Sequence, residues 1–437
     1  MDKRIRYSLI IAGFIFFLIA APLIVFFARG IKFDFEEKKF VPTGIFAVKS
    51  DPDGADILLD GKLVMTGSGE IRFLKPKDYL VAIKKPGYYP WEKTVSVEAG
   101  KVAWANPGLN KVYLLLMDKN REELFGGIVD FEAWDSGLLA LAKNEIIIAD
   151  GPNFTSVKRI PLPKEASGLL SSPDFTRFLL TKEADGAQDA SVLLFDRQTE
   201  SVSEIKNLFV SRTKLPAFGF SGDGRLFAEE NSSLYEINPQ GGTKTLVASA
   251  VIAWTIHNQT LYYLTQNKTG VSRLLSLDLN AGAKQTLSTN LPAFTSATII
   301  VNSQKRIFLA ADNTLYAFAS DGLVKLADGL ENWEYKKAQD ALVFLASGEL
   351  RYLDAAGQNL LITRVSENLQ SPVIMEQIGY AFFIKNNTLT ALELDRMAPQ
   401  NSYPVYEGKS LQKFFLSRDG KYALVLDAGE LNKVIVR

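Results

Sequence analysis

The chain's only imidazole is His257, the one side chain whose ordinary pKa suits a general base near neutral pH. It lies in Ile256-His257-Asn258-Gln259, between two predicted strands, with no serine and aspartate grouped about it in sequence. It therefore reads as a turn residue and not as the base of a triad. Cysteine is absent, which removes disulfides, thiol nucleophiles, thiolate zinc sites and iron–sulfur clusters. One histidine cannot build a multi-histidine metal cage. Gly67-Ser68-Gly69 fails as a phosphate cradle because the sixth position of the fingerprint is Arg72. No catalytic, cofactor-binding or metal-binding residue is assigned, and no cofactor is expected. Stacking chemistry is the remaining candidate: Tyr88-Tyr89-Pro90-Trp91 and Trp134, Trp254 and Trp333 carry aromatic faces that could serve as ligand platforms for a sugar. Core closure by the first group and packing between repeats by the tryptophans are the plainer roles.

The elements that must position these residues begin with an apolar segment. Tyr7–Phe27 (YSLIIAGFIFFLIAAPLIVFF) runs 21 residues without a charge, after a stub, 1–6, that contains Lys3, Arg4 and Arg6 against Asp2. A helix of that length spans roughly 30 Å, the hydrocarbon thickness of a bilayer. A cleaved signal would end near Ala20-Ala21, but Pro22 follows and the apolar run continues. The expectation is a single-pass transmembrane helix over 7–27, with the basic stub cytoplasmic and the bulk of the chain extracytoplasmic. Residues 28–41 form a charged juxtamembrane spacer interspersed with Phe33, Phe35 and Phe40.

From 42 to 116 the pattern becomes all-β: short runs rich in β-branched and aromatic residues, punctuated by glycine and proline. Gly44–Lys49, Asp56–Leu59, Glu70–Leu74, Tyr79–Lys84, Thr94–Val97 and Val112–Leu116 are the strand candidates. Pro52-Asp53-Gly54-Ala55, Asp60-Gly61, Gly67, the strand beginning Asp78-Tyr79, and Lys85-Pro86-Gly87-Tyr88 occur in that order. Together they resemble the PEGA domain, a β-sandwich module of prokaryotic surface proteins, with Asp53 where the eponymous glutamate would stand. The Thr-Pro usual after the mid-domain glycine is replaced by Ser68-Gly69. The resemblance implies display outside the cytoplasm and assigns no catalytic residue.

The rest, 117–437, repeats. Ile146, Val192, Leu234, Leu274, Leu315, Leu350, Leu389 and Leu431 occupy equivalent positions, spaced 35 to 46 residues apart with a mean of about 41. Turns such as Ser172-Pro173-Asp174, Ser221-Gly222-Asp223-Gly224 and Ser417-Arg418-Asp419-Gly420 precede several copies. A period near 41 with four short strands per copy predicts a β-propeller, eight blades favoured and seven the alternative. The turns resemble the WD-repeat-like propellers of bacterial envelope proteins, although the Trp-Asp pair is missing. Ser221-Gly222-Asp223-Gly224 is not a sialidase-type Asp box, which needs one residue between Asp and Gly. The last copy lacks a fourth strand; Val112–Leu116 could supply it, or could instead end the small domain.

The 49 Lys and Arg against 49 Asp and Glu give no general attraction to nucleic acid. The expected function is a membrane-anchored binding or scaffold protein of a prokaryotic cell envelope. Its expected partners are the bilayer, through 7–27, and an envelope protein or glycan. The alternative is a propeller enzyme acting on envelope glycan through channel carboxylates.

Overall fold

The computed structural model describes residues 3–28, 30–34, 38–117, 121–151, 153–184, 190–205, 208, 215–319, 322–336, 340–354, 356–364, 369–395, 397 and 399–437. Among the described residues one helix, α1 (Lys3–Ala28), precedes an otherwise all-β arrangement. Its side chains are described over 10–26, where nearly all are exposed and apolar. Pro22 lies inside it, leaving the Leu18 carbonyl without its helical donor. Among the described residues no helix is long and apolar enough to cross a membrane.

The expected spacer is a hairpin in its described part: β1 (Ile31–Asp34) pairs antiparallel with β2 (Lys39–Pro42). Phe40 anchors it, its ring 5.1 Å from Phe33 and 5.3 Å from Phe26 of the helix. Phe35, Glu36 and Glu37 lie outside the described residues.

The small domain uses β3 (Gly44–Val48), β4 (Ser50–Asp51), β5 (Asp56–Leu59), β6 (Lys62–Thr66), β7 (Gly69–Leu74), β8 (Lys77–Lys84), β9 (Trp91–Val97), β10 (Val102–Trp104) and β11 (Val112–Tyr113). They form a three-stranded sheet, β10-β3-β7, facing a four-stranded one, β6-β5-β8-β9, with β4 and β11 paired parallel beside them. Phe46, Ile57, Val81, Ile83 and Trp91 fill the space between. Sequence reading missed the two-residue β4 as well as β6 and β10. Leu63 and Val64 of β6 are exposed, so that strand has no buried face to generate alternation, and β10 has only three residues.

Eight four-stranded antiparallel sheets then follow one another. The first seven comprise residues 128–161, 168–204, 217–249, 251–291, 297–328, 330–364 and 370–407, and the eighth comprises 411–435 with one strand from elsewhere. All eight predicted repeat positions fall on third strands, and each is at most 4% exposed. Second strands such as Ile307–Ala311 and Ala341–Ala346 are continuous apolar runs instead of alternating ones. Their position between two neighbouring sheets explains this, since both faces are covered. Most fourth strands are more polar and exposed, as in Ser156–Pro161, and most carry a lysine or arginine on the free edge. The seventh sheet departs from this rule: its fourth strand, Ser402–Glu407, buries Tyr403, Val405 and Tyr406.

Each sheet shares a buried cluster with the next. Phe178 packs with Leu139, Leu226 with Leu179, Phe227 with Tyr263, Leu264 with Leu309, Phe308 with Phe344, and Val343 with Phe383. Phe382 joins Val425, and Leu424 returns to Phe131 of the first sheet. The eight seams therefore close a propeller-like ring, each buried Phe or Leu contributing on the order of 1.5–3 kcal/mol.

The missing strand of the eighth sheet is β12 (Arg121–Gly126), paired antiparallel with Glu430–Ile435. This replaces the reading in which Val112–Leu116 closes the ring. Those residues stay with the small domain, where β11 pairs with β4. The Leu116 amide still reaches across to the Val436 carbonyl at 2.9 Å. The physical reason is alternation: Leu114 points into the small core and Leu115 into the ring, so the segment serves two bodies at once.

The recurring serine turns have a shared mechanism. Ser172, Ser221 and Ser417 are buried, and each hydroxyl donates to the aspartate two residues on, Asp174, Asp223 and Asp419. Each also accepts a backbone N–H, from Arg177, Arg225 and Lys421, at 2.9, 2.9 and 3.0 Å. Burial alone would raise these carboxyls; the hydroxyl and amide donors outweigh it and hold all three below the usual range.

Candidate functional site

In each sheet the loops after the first and third strands emerge on one face of the ring. On that face, around the axis, lies a cavity of about 940 Å³. First strands supply its walls: Glu132, Glu334 and Tyr335, with Val373, Ile374 and Phe414 as an apolar floor. The following loops supply Asp135, Phe175, Glu376 and Arg418. Lys413 holds Asp130 at 2.9 Å and Glu132 at 3.0 Å. Burial would lower the Lys413 pKa, but the Glu132 and Asp130 charges overcome it and raise it. Arg418 approaches Asp135 at 3.9 Å, a pair too exposed to contribute measurably. Among the described residues, no group of three or more carboxylates and histidine could hold a metal ion.

The small domain sits on the same face, over the seventh and eighth sheets. Tyr89 stacks on Tyr403 at 5.0 Å and donates to the Pro404 carbonyl at 3.0 Å, while the Tyr403 hydroxyl returns to Pro90 at 2.9 Å. This cover is why the outer strand of the seventh sheet is buried. Beneath it, Lys93 and Glu393 form an ion pair at 2.8 Å with side-chain exposures of 0% and 5%. Lys93 also donates to the Met397 carbonyl at 2.7 Å, and Asn401 donates to Glu393 at 2.9 Å. Burial pushes the Glu393 carboxyl up, and Lys93 and Asn401 only partly pull it back. The Tyr380 hydroxyl donates to the Tyr113 carbonyl at 2.8 Å, and Arg437 pairs with Asp51 at 3.0 Å. Between the two bodies a second cavity of about 450 Å³ is walled by Asn106, Leu109 and Tyr113 above and by Glu376, Tyr352 and Asp395 below.

The aromatic candidates are placed as follows. Trp91 is 1% exposed in the small core, and a covered indole offers no face to a ligand. Tyr88 packs against that same core. Trp134 packs on Phe175 at 5.3 Å, with Arg197 at 4.7 Å from its ring. Trp254 lies against Gly219 of the preceding sheet, and Trp333 joins the cluster between the fifth and sixth sheets.

His257 ends a first strand, Val251–His257, one residue short of the turn. Folding brings Ser303 and Asp340 from the next two sheets toward it. The Asp340 carboxylate accepts the Ser303 amide at 2.8 Å, the Ser303 hydroxyl, and the Tyr335 hydroxyl at 2.7 Å. Serine thus gives its proton to the carboxylate and not to imidazole. That arrangement ties the fifth and sixth sheets together, with His257 acting on Asp340 through its charge, and does not activate a nucleophile.

The motif residues of the small domain build turns. Asp53 accepts Ser68 Oγ at 2.9 Å, Asp60 accepts the Leu80 amide at 3.0 Å, and Ala55 is fully buried. Gly67, at φ +88°, sends its N–H to Ala55 at 2.8 Å, a backbone conformation that glycine adopts without strain. Ser68 therefore bonds to the motif aspartate directly, in the turn where the customary Thr-Pro is absent. Pro52, Gly54, Gly61, Pro86 and Gly87 complete the same loops.

Residues 43–112 match the PEGA domain family, and this part of the chain is a PEGA domain. No curated protein matches the chain. Among solved structures the chain is similar to a eukaryotic initiation factor at 10% identity and TM-score 0.49, covering 77% of this chain and 87% of that one. It is also similar to PorZ, described as an essential bacterial surface component of the type-IX secretion system of Porphyromonas gingivalis, at 13% identity and TM-score 0.41, covering 70% and 42%. An oligogalacturonate lyase of Vibrio parahaemolyticus is similar at 9% identity and TM-score 0.42, covering 73% and 99%. At these scores the likenesses bear on no activity or partner.

Proposed function

We propose that the protein is a membrane-tethered binding or scaffold protein of a prokaryotic cell envelope, with its ring and PEGA domain outside the cytoplasm. The eight sheets are the blades of one closed eight-bladed β-propeller, and the partner is an envelope protein or a glycan. The observation that carries the reading is the locked contact between the two bodies. A small domain stapled by Lys93–Glu393 and Tyr89–Tyr403 makes one rigid face with the axial cavity beside it, and rigidity favours recognition because little freedom is lost on binding.

The tether is α1, 26 residues long with apolar side chains exposed on every side across its described part. Such a cylinder has no polar face to turn to water. Expressed in bacteria, the full chain is expected in the membrane fraction after carbonate extraction, with its ring cleaved by protease added outside spheroplasts. A version beginning at Gly44 is expected to be soluble. A protected ring, or a Gly44 version that still pellets with membrane, would contradict the proposal.

A second reading, hydrolysis of envelope glycan, is favoured by Glu132, Asp135 and Glu376 lining one cavity with Arg418. It requires release of reducing ends from envelope glycan, lost in Asp135→Asn with folding intact. No release from any fraction leaves binding alone.

A further inference from the structure

We infer that the axial cavity and the cleft beneath the PEGA domain form one groove that takes an extended basic peptide segment of a partner protein. This rests on the binding reading above and specifies the chemistry of its ligand. The two cavities, about 940 and 450 Å³, share Glu376 in their walls. The path therefore runs from the ring axis outward under the small domain, with space for several residues of extended chain.

Charge identifies the occupant. Glu132 is answered by Lys413 at 3.0 Å, Asp135 by Arg418 at 3.9 Å, and Glu393 by Lys93 at 2.8 Å. Glu376 and Asp395 have no ion-pair partner among the described residues. Asp395 Oδ1 accepts the Met397 amide at 2.9 Å, and its Oδ2 is buried without a hydrogen bond. Glu376, exposed where the two cavities meet, and Asp395, half-buried in the wall of the second, leave this stretch with negative charge that a lysine or arginine relieves. The floor of Val373, Ile374 and Phe414 suits the aliphatic stem of such a side chain. A sugar would need free aromatic faces, and Trp134 and Tyr113 offer none. Trp134 is covered by Phe175 and Arg197, and Tyr113 carries Lys111 at 5.2 Å and Arg437 at 5.0 Å.

The test measures fluorescence anisotropy on the full chain in detergent with three probes: a labelled ten-residue Lys-Ala peptide, its Glu-Ala counterpart, and a linear N-acetylglucosamine hexamer. The Lys-Ala peptide is expected to bind and to weaken by about tenfold as salt rises toward 0.3 M. Glu376→Gln is expected to weaken it by about fivefold, while the exposed control Glu122→Gln leaves it unchanged. Equal binding of the acidic peptide, indifference to Glu376→Gln, or no binding of the basic peptide at low salt would overturn the inference. Binding of the hexamer alone would overturn it too, yet leave the binding reading standing.

Discussion

Lys93→Met is expected to lower stability at pH 7 by about 3–5 kcal/mol, the usual result of stranding one buried charge of a pair. The lysine is fully covered, and its partner Glu393 is 4% exposed. Burial already raises the Glu393 carboxyl above its ordinary value. Removing Lys93 takes away the strongest opposing influence, so the pKa rises further. A carboxyl raised in the folded state favours folding below its unfolded pKa and loses that contribution as pH climbs through the folded value. The variant should therefore recover much of its deficit near pH 5 and be weakest above neutrality. Adding Glu393→Leu should restore stability at pH 7, because an apolar pair of similar volume has no charge to desolvate. Urea denaturation of the three proteins at pH 5 and pH 8 decides the matter. A Lys93→Met deficit that is the same at both pH values would refute the assignment.

Phe125→Ala is the second large effect, with an expected loss of about 3–5 kcal/mol. Phe125 is 9% exposed, stands opposite Leu431, and packs in the cluster joining the eighth and first sheets. It is the main apolar anchor of β12, so its removal should loosen the clasp before anything else. Amide exchange at Glu430–Ile435 should accelerate selectively. Phe382→Ala, in the seam between the seventh and eighth sheets, should cost a similar amount without that local signature. Indistinguishable exchange maps for the two variants would refute the closing role of β12.

The repeat was legible because third strands place an apolar residue at the same buried point eight times, from Ile146 to Leu431, and burial constrains residue type. The PEGA domain was legible through its turns, where only certain residues satisfy the backbone. The closing strand was hidden because Arg121-Glu122-Glu123 is polar, as an outermost strand should be, while Val112–Leu116 looks more strand-like and is buried by two bodies. Docking of the small domain on the ring left one faint trace. In β9 the buried positions alternate Trp91, Lys93, Val95, Val97, so lysine occupies an inward place that strand periodicity would reserve for an apolar residue. Its partner lies 300 residues away, and nothing local announces it. The groove was invisible for the same reason: Glu376 and Asp395 acquire meaning only when the small domain is placed above them.

The pairing of β12 with Glu430–Ile435 also dictates an order of events during synthesis. The ribosome makes the receiving edge of that pair some three hundred residues after the strand it receives. Nascent chains must carry β12 unpaired throughout, its backbone groups open to any passing edge. Prematurely terminated products would lack the receiving strand and leave two raw margins exposed. Quality-control proteases could discriminate such products from finished molecules by that gap alone.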